Sequence, residues 1–185
     1  MTQYKDIHCA SGRITVRTIS RRDFDAVVLG YALSGEALNR FDEGRVDGAR
    51  LTKEWYREEL EQRCTDAERD DCYMFNIFRN SDGACLGYCD ITVMKRDDFQ
   101  FAKVGYTIFN QYWGNGYGTE SLCALTEIGF RDLGLHRLEA HVNLDNPASK
   151  RVLEKAGYSF ECVRRRFILE DGVWTDNEVW YRNAD

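Results

Sequence analysis

Three glycines fall within five residues in the segment Trp113-Gly114-Asn115-Gly116-Tyr117-Gly118-Thr119, and the periodicity changes across it. Before it, Phe101 to Phe109 reads as a strand. After it, Leu122, Leu125, Ile128, Gly129 and Leu133 recur at helical spacing up to Gly134. Glycines at a strand-to-helix junction let the backbone take positive φ and approach a ligand closely. The unpaired N–H groups of the helix's first turn, aided by its dipole, then hold a phosphate, and Thr119 adds a hydroxyl at the helix start. A merely tight turn rarely needs this many glycines. Two common nucleotide motifs do not fit. A dinucleotide fingerprint needs GxGxxG, and here the third glycine comes one position early; a P-loop needs Gly-Lys-Ser/Thr, which the chain lacks.

The rest of the chain reads as an α+β domain. Arg13 to Ile19 alternates like a strand, and Ser20 is placed to cap a helix carrying Phe24, Val27, Val28 and Tyr31. Residues 35–50 read as a charged loop, and Thr52 opens a second helix with Trp55, Leu60 and Tyr56 as inner-stripe candidates. Cys72 to Phe78 and Ala84 to Met94 form a hairpin about the turn Asn80-Ser81-Asp82-Gly83. Past the glycine-rich turn, His136 to Asn143 is a strand and Asn146-Pro147 starts a helix that Gly157 closes; Tyr158–Leu169 and Val173–Arg182 make a final hairpin.

Length and composition narrow the function classes. A chain of 185 residues suits a single domain spanning 1–185, and 43% apolar residues with only one proline argue against disorder. The net charge of −6 argues against a nucleic-acid partner. The charge is uneven: residues 52–71 are acidic and residues 150–166 basic, a pattern suited to a cationic substrate and a polyanionic cofactor, although such runs are ordinarily solvated faces. Seven scattered cysteines without a CxxC pair suggest reduced thiols and a cytoplasmic location, with no metal site. The first twenty residues show no leader pattern, and no apolar run approaches the ~18 residues of a membrane helix. Oligomeric state, monomer or homodimer, stays open.

Two segments together resemble the GNAT superfamily of N-acetyltransferases. The stretch Val104 to Glu120 is similar to that family's (Q/R)xxGx(G/A) motif, with Gly116 and Gly118 as its glycines and Trp113 in place of the usual Gln or Arg. Asn146-Pro147-Ala148-Ser149, followed by Val152-Leu153-Glu154-Lys155-Ala156-Gly157-Tyr158, resembles the NxxS…vLEKxGF segment of the RimJ/RimL-type branch. The resemblance implies a mixed, mostly antiparallel central sheet, with a parallel pair splayed at the cofactor site and helices on both faces. It implies acetyl-CoA as donor. The pyrophosphate would lie on Trp113, Gly114, Asn115, Gly116, Tyr117, Gly118 and Thr119. Ile108 and Phe109 would lie along the pantetheine arm, and Asn146 and Ser149 would contact the cofactor or thioester. Lys150, Arg151 and Lys155 are either 3′-phosphate partners or solvated helix residues. Some members place a Tyr where Leu153 stands, as acid for the thiolate, so Ser149 becomes the donor; the branch can also carry a Glu where Ile168 stands.

The implied reaction needs a base for the acceptor amine. Glu139 and His141 alternate on one face of their strand and are the catalytic candidates beside Ser149, with Tyr106 and Asp90 as weaker options. Glu139 could equally be a structural ion pair with Arg137, and His141 a packed polar residue. An α-amine, with pKa about 8, costs roughly 3.3 kcal/mol less to deprotonate than a lysine near 10.4. With no obvious strong base, a protein N-terminal α-amine is the easier acceptor. A small amine or antibiotic is the alternative substrate, and a cofactor sensor without catalysis the alternative outside enzymes.

Overall fold

The computed structural model describes residues 4–185, so the first three residues of the stretch read for a leader lie outside it. Eight strands form one sheet: β1 (His8–Ser11), β2 (Ile14–Arg17), β3 (Cys72–Arg79), β4 (Cys85–Lys95), β5 (Phe101–Ile108), β6 (Arg137–Asn143), β7 (Ser159–Glu170) and β8 (Val173–Asn183). Their order is β1-β2-β3-β4-β5-β6-β8-β7, and every pair is antiparallel except β5 with β6. Four helices, α1 (Phe24–Ala32), α2 (Lys53–Glu68), α3 (Tyr117–Arg131) and α4 (Pro147–Lys155), cover the two faces. This is the mixed α+β architecture that the resemblance implies.

Turn and cap chemistry explains most element boundaries. Ser20 forms a capping box with Asp23 on a short 3-10 turn (Arg21–Asp23) that runs into α1. The Thr52 hydroxyl accepts from the Trp55 amide at 3.1 Å and starts α2. Of the three inner-stripe candidates on α2, Tyr56 is the deepest; its hydroxyl donates to the Ser20 carbonyl at 2.8 Å and ties α2 to the start of α1. Strand β1 is an addition that the sequence pattern did not reveal.

Two cores result. Leu122, Leu125 and Ile128 of α3 and Leu153 of α4 pack on Phe75, Ile77, Leu86, Ile91 and Leu138 of the sheet. Each such side chain contributes roughly 1.5–3 kcal/mol on burial. Val27 and Tyr56, from α1 and α2, pack with Phe78, Cys85 and Phe109 on the opposite face. Leu153, where some family members place a tyrosine, is 1% exposed inside the first core. All seven cysteines are free thiols. Among the described residues no cluster could hold a metal ion, and no helix is long and apolar enough to cross a membrane.

Candidate active site

The sheet opens where its two halves meet. Strands β5 and β6 pair only at Phe101–Arg137, Ala102–Leu138 and Lys103–Glu139. Beyond that point β5 stays with β4 as far as Ile108, and β6 stays with β8 as far as Asn143. A V-shaped gap results. The Phe109 amide donates to the Leu86 carbonyl, so by antiparallel alternation the backbone groups of Tyr106 and Ile108 point into the gap. The Ile108 carbonyl is taken, at 2.6 Å, by the indole N–H of Trp113. Ile108 lines the gap. Phe109 does not: its ring turns to the other face, 4.8 Å from the Tyr31 ring and against Gly30, because the next residue along a strand faces the opposite side.

The glycine-rich turn closes the wide end of the gap. A single 3-10 turn (Asn110–Tyr112) leads from β5 to Trp113. Gly114 and Gly116 follow in left-handed conformations, at φ 78° and 83°. A Cβ on Gly114 would meet nothing within 4 Å, so the turn is open on that side. Gly118 has a different role. It is helical, and a Cβ there would come within 3.3 Å of Tyr106 and 3.5 Å of Val152, so its bareness lets α3 settle against β5 and α4. The first-turn N–H groups of Tyr117 and Gly118 have no intrahelical acceptor. The Asn115 side chain is occupied in holding the turn, donating to the Tyr112 and Trp113 carbonyls at 3.0 Å each. Arg13, just before β2, braces the same turn: it donates to the Asn115 carbonyl at 2.7 Å, pairs with Glu120, and lies 4.7 Å above the Tyr117 ring.

Helix α4 supplies another wall. Asn146 is its N-cap, accepting from the Ser149 amide at 3.1 Å, and Pro147 occupies the first turn. The Ser149 hydroxyl lies 3.4 Å from the Tyr106 hydroxyl. Arg151 and Lys155 line the cleft, whereas Lys150 turns away to Glu178 at 2.5 Å and the Leu144 carbonyl at 2.9 Å. The loop 33–50 forms a roof through Asn39, Phe41 and Asp42. It is fastened on both sides of the gap. The Asn110 side chain bonds the Gly35 amide, the Glu36 carbonyl and Asp42, while Arg40 makes a bidentate pair with Asp145. The cleft measures about 410 Å³. A larger cavity of about 860 Å³, between the first strands and α2, touches neither the glycine-rich turn nor α4.

Open N–H groups at a helix start, a turn with no side chain on its outer side, and flanking Arg13, Arg151 and Lys155 fit an anionic, pyrophosphate-bearing donor. Comparison with known proteins agrees with this. Residues 13–159 match the family described as Acetyltransferase (GNAT) domain. A probable N-acetyltransferase of Bacillus subtilis, YjcK, is 36% identical over 134 residues, covering 72% of this chain and 70% of its own.

The chain belongs to the GNAT family.

Members of this family use acetyl-CoA, and the chain is an N-acetyltransferase, which sets aside the reading as a sensor without catalysis. The uS5-alanine N-acetyltransferase of Escherichia coli is 22% identical over 92% of this chain and 88% of its own. The fold is shared with RimJ of Mycobacterium smegmatis, solved with CoA-disulfide, at TM-score 0.77, 22% identity, and coverage of 96% and 88%.

The candidate bases of this GNAT enzyme lie on the α1/α2 face of the gap. Glu139 is 3% exposed and held by three partners: Arg137 at 2.8 Å, His141 at 3.0 Å and Arg164 at 3.4 Å. Burial alone would raise its carboxyl pKa, but the hydrogen bonds from His141 and Arg137 and the Arg164 charge outweigh burial and hold it below the ordinary value. Arg164 comes from β7, a partner that the neighbouring sequence does not suggest. His141 is neutral near pH 7: burial lowers its pKa, Glu139 pulls it back, and Arg164 and Lys103 lower it again. A neutral imidazole bonded through Nε2 to an ionised carboxylate carries its proton on Nε2 and leaves Nδ1 as acceptor. Across the gap, Asp90 reaches over Gly105; a Cβ there would lie 2.5 Å from the Asp90 carboxylate. Burial raises the Asp90 pKa, with Thr92, bonded at 3.0 Å, and Lys103 opposing it. Glu139 and His141 do not line the cleft itself. They stand on the face of the sheet opposite Ser149.

Proposed function

We propose that this enzyme transfers an acetyl group from acetyl-CoA to the α-amine of a polypeptide N-terminus, by direct attack within a ternary complex. The observation that carries the reading is the β5–β6 gap, open along Tyr106 and leading from the glycine-rich turn toward Ser149 on one face and His141 on the other. Trp113, Gly114, Gly116, Tyr117, Gly118 and Thr119 would cradle the pyrophosphate, with Arg13, Arg151 and Lys155 as counter-charges; Ile108, Asn146 and Ser149 would line the arm.

When bound, acetyl-CoA supplies an activated thioester carbonyl. Tyr106, through its free backbone N–H in the gap, is placed to polarise a carbonyl oxygen. His141, oriented by Glu139, accepts on Nδ1 the proton that the amine sheds as nitrogen bonds to carbon. Ser149 would donate a proton to the departing sulfur, the neighbouring Tyr106 hydroxyl would replace it, and Tyr106 would regain its proton from solvent. The products are an amide and a thiol: the proton left on His141 returns to solvent, so the one proton given up by nitrogen matches the one gained by sulfur.

The preference for an α-amine rests on this base. A histidine with lowered pKa is a weak base, suited to an amine near pKa 8 and poorly suited to a lysine side chain. The similarity to the uS5-alanine N-acetyltransferase is in keeping with it. The test is thiol release from acetyl-CoA with matched peptides offering either a free α-amine or a free lysine side chain. Faster turnover of the α-amine is expected; equal rates would overturn the assignment.

A further inference from the structure

A second cavity, of about 350 Å³, lies on the other side of the same wall. Tyr88 lines it, and the cross-strand partner of Tyr88 is Thr107, which lines the cofactor cleft. The roof is shared too: Asp42 faces the cofactor cleft and the next residue, Glu43, faces the second cavity. The two cavities are therefore separated by one strand position and one loop residue. Any ligand in the second cavity lies beside the point where the donor's arm would run.

The lining of this cavity is aromatic. The Tyr31 ring stands edge-on to Trp55 at 6.1 Å and tilted to Tyr88 at 6.4 Å, with Met74 of β3 completing the apolar surface. Four charged residues border it. Glu59 pairs with Arg63 at 3.3 Å, and Arg63 in turn donates to Asn76 at 2.7 Å, while Arg50 and Glu43 are both exposed at the edge. Of these last two, Glu43 reaches the inner wall. Its carboxylate accepts from the Tyr88 hydroxyl at the wall shared with the cofactor cleft. An ammonium arriving here meets a carboxylate and three aromatic rings, a combination that favours cations bearing an apolar body.

We infer that this cavity receives the body of the acceptor, and that the acceptor class is a primary amine carried close to an aromatic or bulky apolar group. This rests on the acetyl-transfer reading above. The same chemistry is offered by a polypeptide beginning with an aromatic or large apolar residue and by a free arylalkylamine. Trp55 and Tyr31 select the group, and Glu43 with Tyr88 draws the ammonium toward the wall.

The test measures thiol release from acetyl-CoA with four acceptors: phenethylamine, ethylamine, and tetrapeptides beginning with Phe or Ala and otherwise identical. The aromatic member of each pair is expected to have a KM about tenfold lower than its partner, as expected for filling one aromatic subsite. Trp55→Ala should raise KM for the aromatic acceptors about tenfold more than for the others, erasing the preference. Tyr88→Phe, which keeps the ring and removes the hydroxyl on Glu43, should weaken all four acceptors; it serves as the second variant should Trp55→Ala fold poorly. Preference for the Phe peptide with no turnover of phenethylamine identifies a polypeptide source, and the reverse identifies a small amine. Equal KM values within each pair, or a Trp55→Ala effect that is the same for all, would overturn the inference and leave the acetyl-transfer reading standing. No thiol release with any amine would instead count against that reading.

Discussion

The indole N–H of Trp113 donates to the carbonyl of Ile108 at 2.6 Å, closing the wide end of the gap between β5 and β6. Trp113 therefore does two things that a Gln or Arg at that position would do differently. It removes one strand carbonyl from the set open to a ligand, and it holds the turn at a fixed distance from β5. Replacing it with phenylalanine keeps a ring and deletes the donor. Trp113→Phe should cost about 1 kcal/mol of stability and raise KM for acetyl-CoA more than it lowers kcat, as thermal melts and initial-rate kinetics would show.

Gly116 sits at φ 83°, immediately before α3. An alanine there is forced into the left-handed region at a cost of about 1–2 kcal/mol, or the turn shifts and the first helical N–H groups lose their aim. Gly116→Ala should weaken acetyl-CoA binding in calorimetric titration while leaving the far-UV spectrum helical. Gly118→Ala should behave differently, since its φ is ordinary and the new methyl meets Tyr106 at 3.3 Å; the loss should track stability first.

The turn, both hairpins and the α4 cap were legible because each depends on residues adjacent in sequence: Gly114 and Gly116, Asn80 to Gly83, Asn146 with Pro147. What escaped depends on distant partners. β1 is four residues long and half polar, so no pattern separates it from a loop. Residues 35–50 read only as a charged loop, yet Asn110 and Asp145 draw them over the cleft. Glu139 was readable as a base or as an ion-pair partner of Arg137, but nothing nearby in sequence pointed to Arg164 of β7. Phe109 was one residue too far along the strand, and the pleat turned its ring to the other face.

The histidine and its carboxylate both have lowered pKa values, so both lose stability as pH falls, in two separate windows. The folded-state pKa of His141 lies below the ordinary value near 6.5, so as pH falls from about 6.5 the unfolded chain binds a proton that the folded one refuses. Stability should decline over that interval and level off once the folded pKa is passed. Glu139, also lowered, contributes stability that is complete above the ordinary carboxylate pKa and is lost at more acidic pH, as its folded pKa is crossed. In His141→Gln the upper slope should vanish and the lower one remain, as read by melting temperature across pH. The same variant should lose most of its kcat, and wild-type kcat/KM, once corrected for the neutral fraction of an acceptor amine with pKa about 8, should hold below pH 6.5 and fall only at the lowered pKa.

Asn110 fastens the roof through the Gly35 amide, the Glu36 carbonyl and Asp42. Asn110→Ala should increase amide exchange across residues 36–43 and raise KM for the acceptor, because Glu43 lies in the same loop. Activity should recover in part at high acceptor concentration, which separates a loosened roof from damaged chemistry.

The three residue pairs that join β5 to β6 are few for a seam across the middle of an eight-stranded sheet. On one side lie five strands in sequence, on the other the C-terminal three, and past Lys103 and Glu139 no backbone bond joins β5 to β6. A donor lying along the exposed edge would act as a partial ninth strand, bridging what the polypeptide leaves unstitched. The sheet would then be finished by its cofactor. Its amides flanking the gap are the ones whose exchange with solvent should slow most on binding, on both banks at once, while those of β1 to β3 keep the pace they had before.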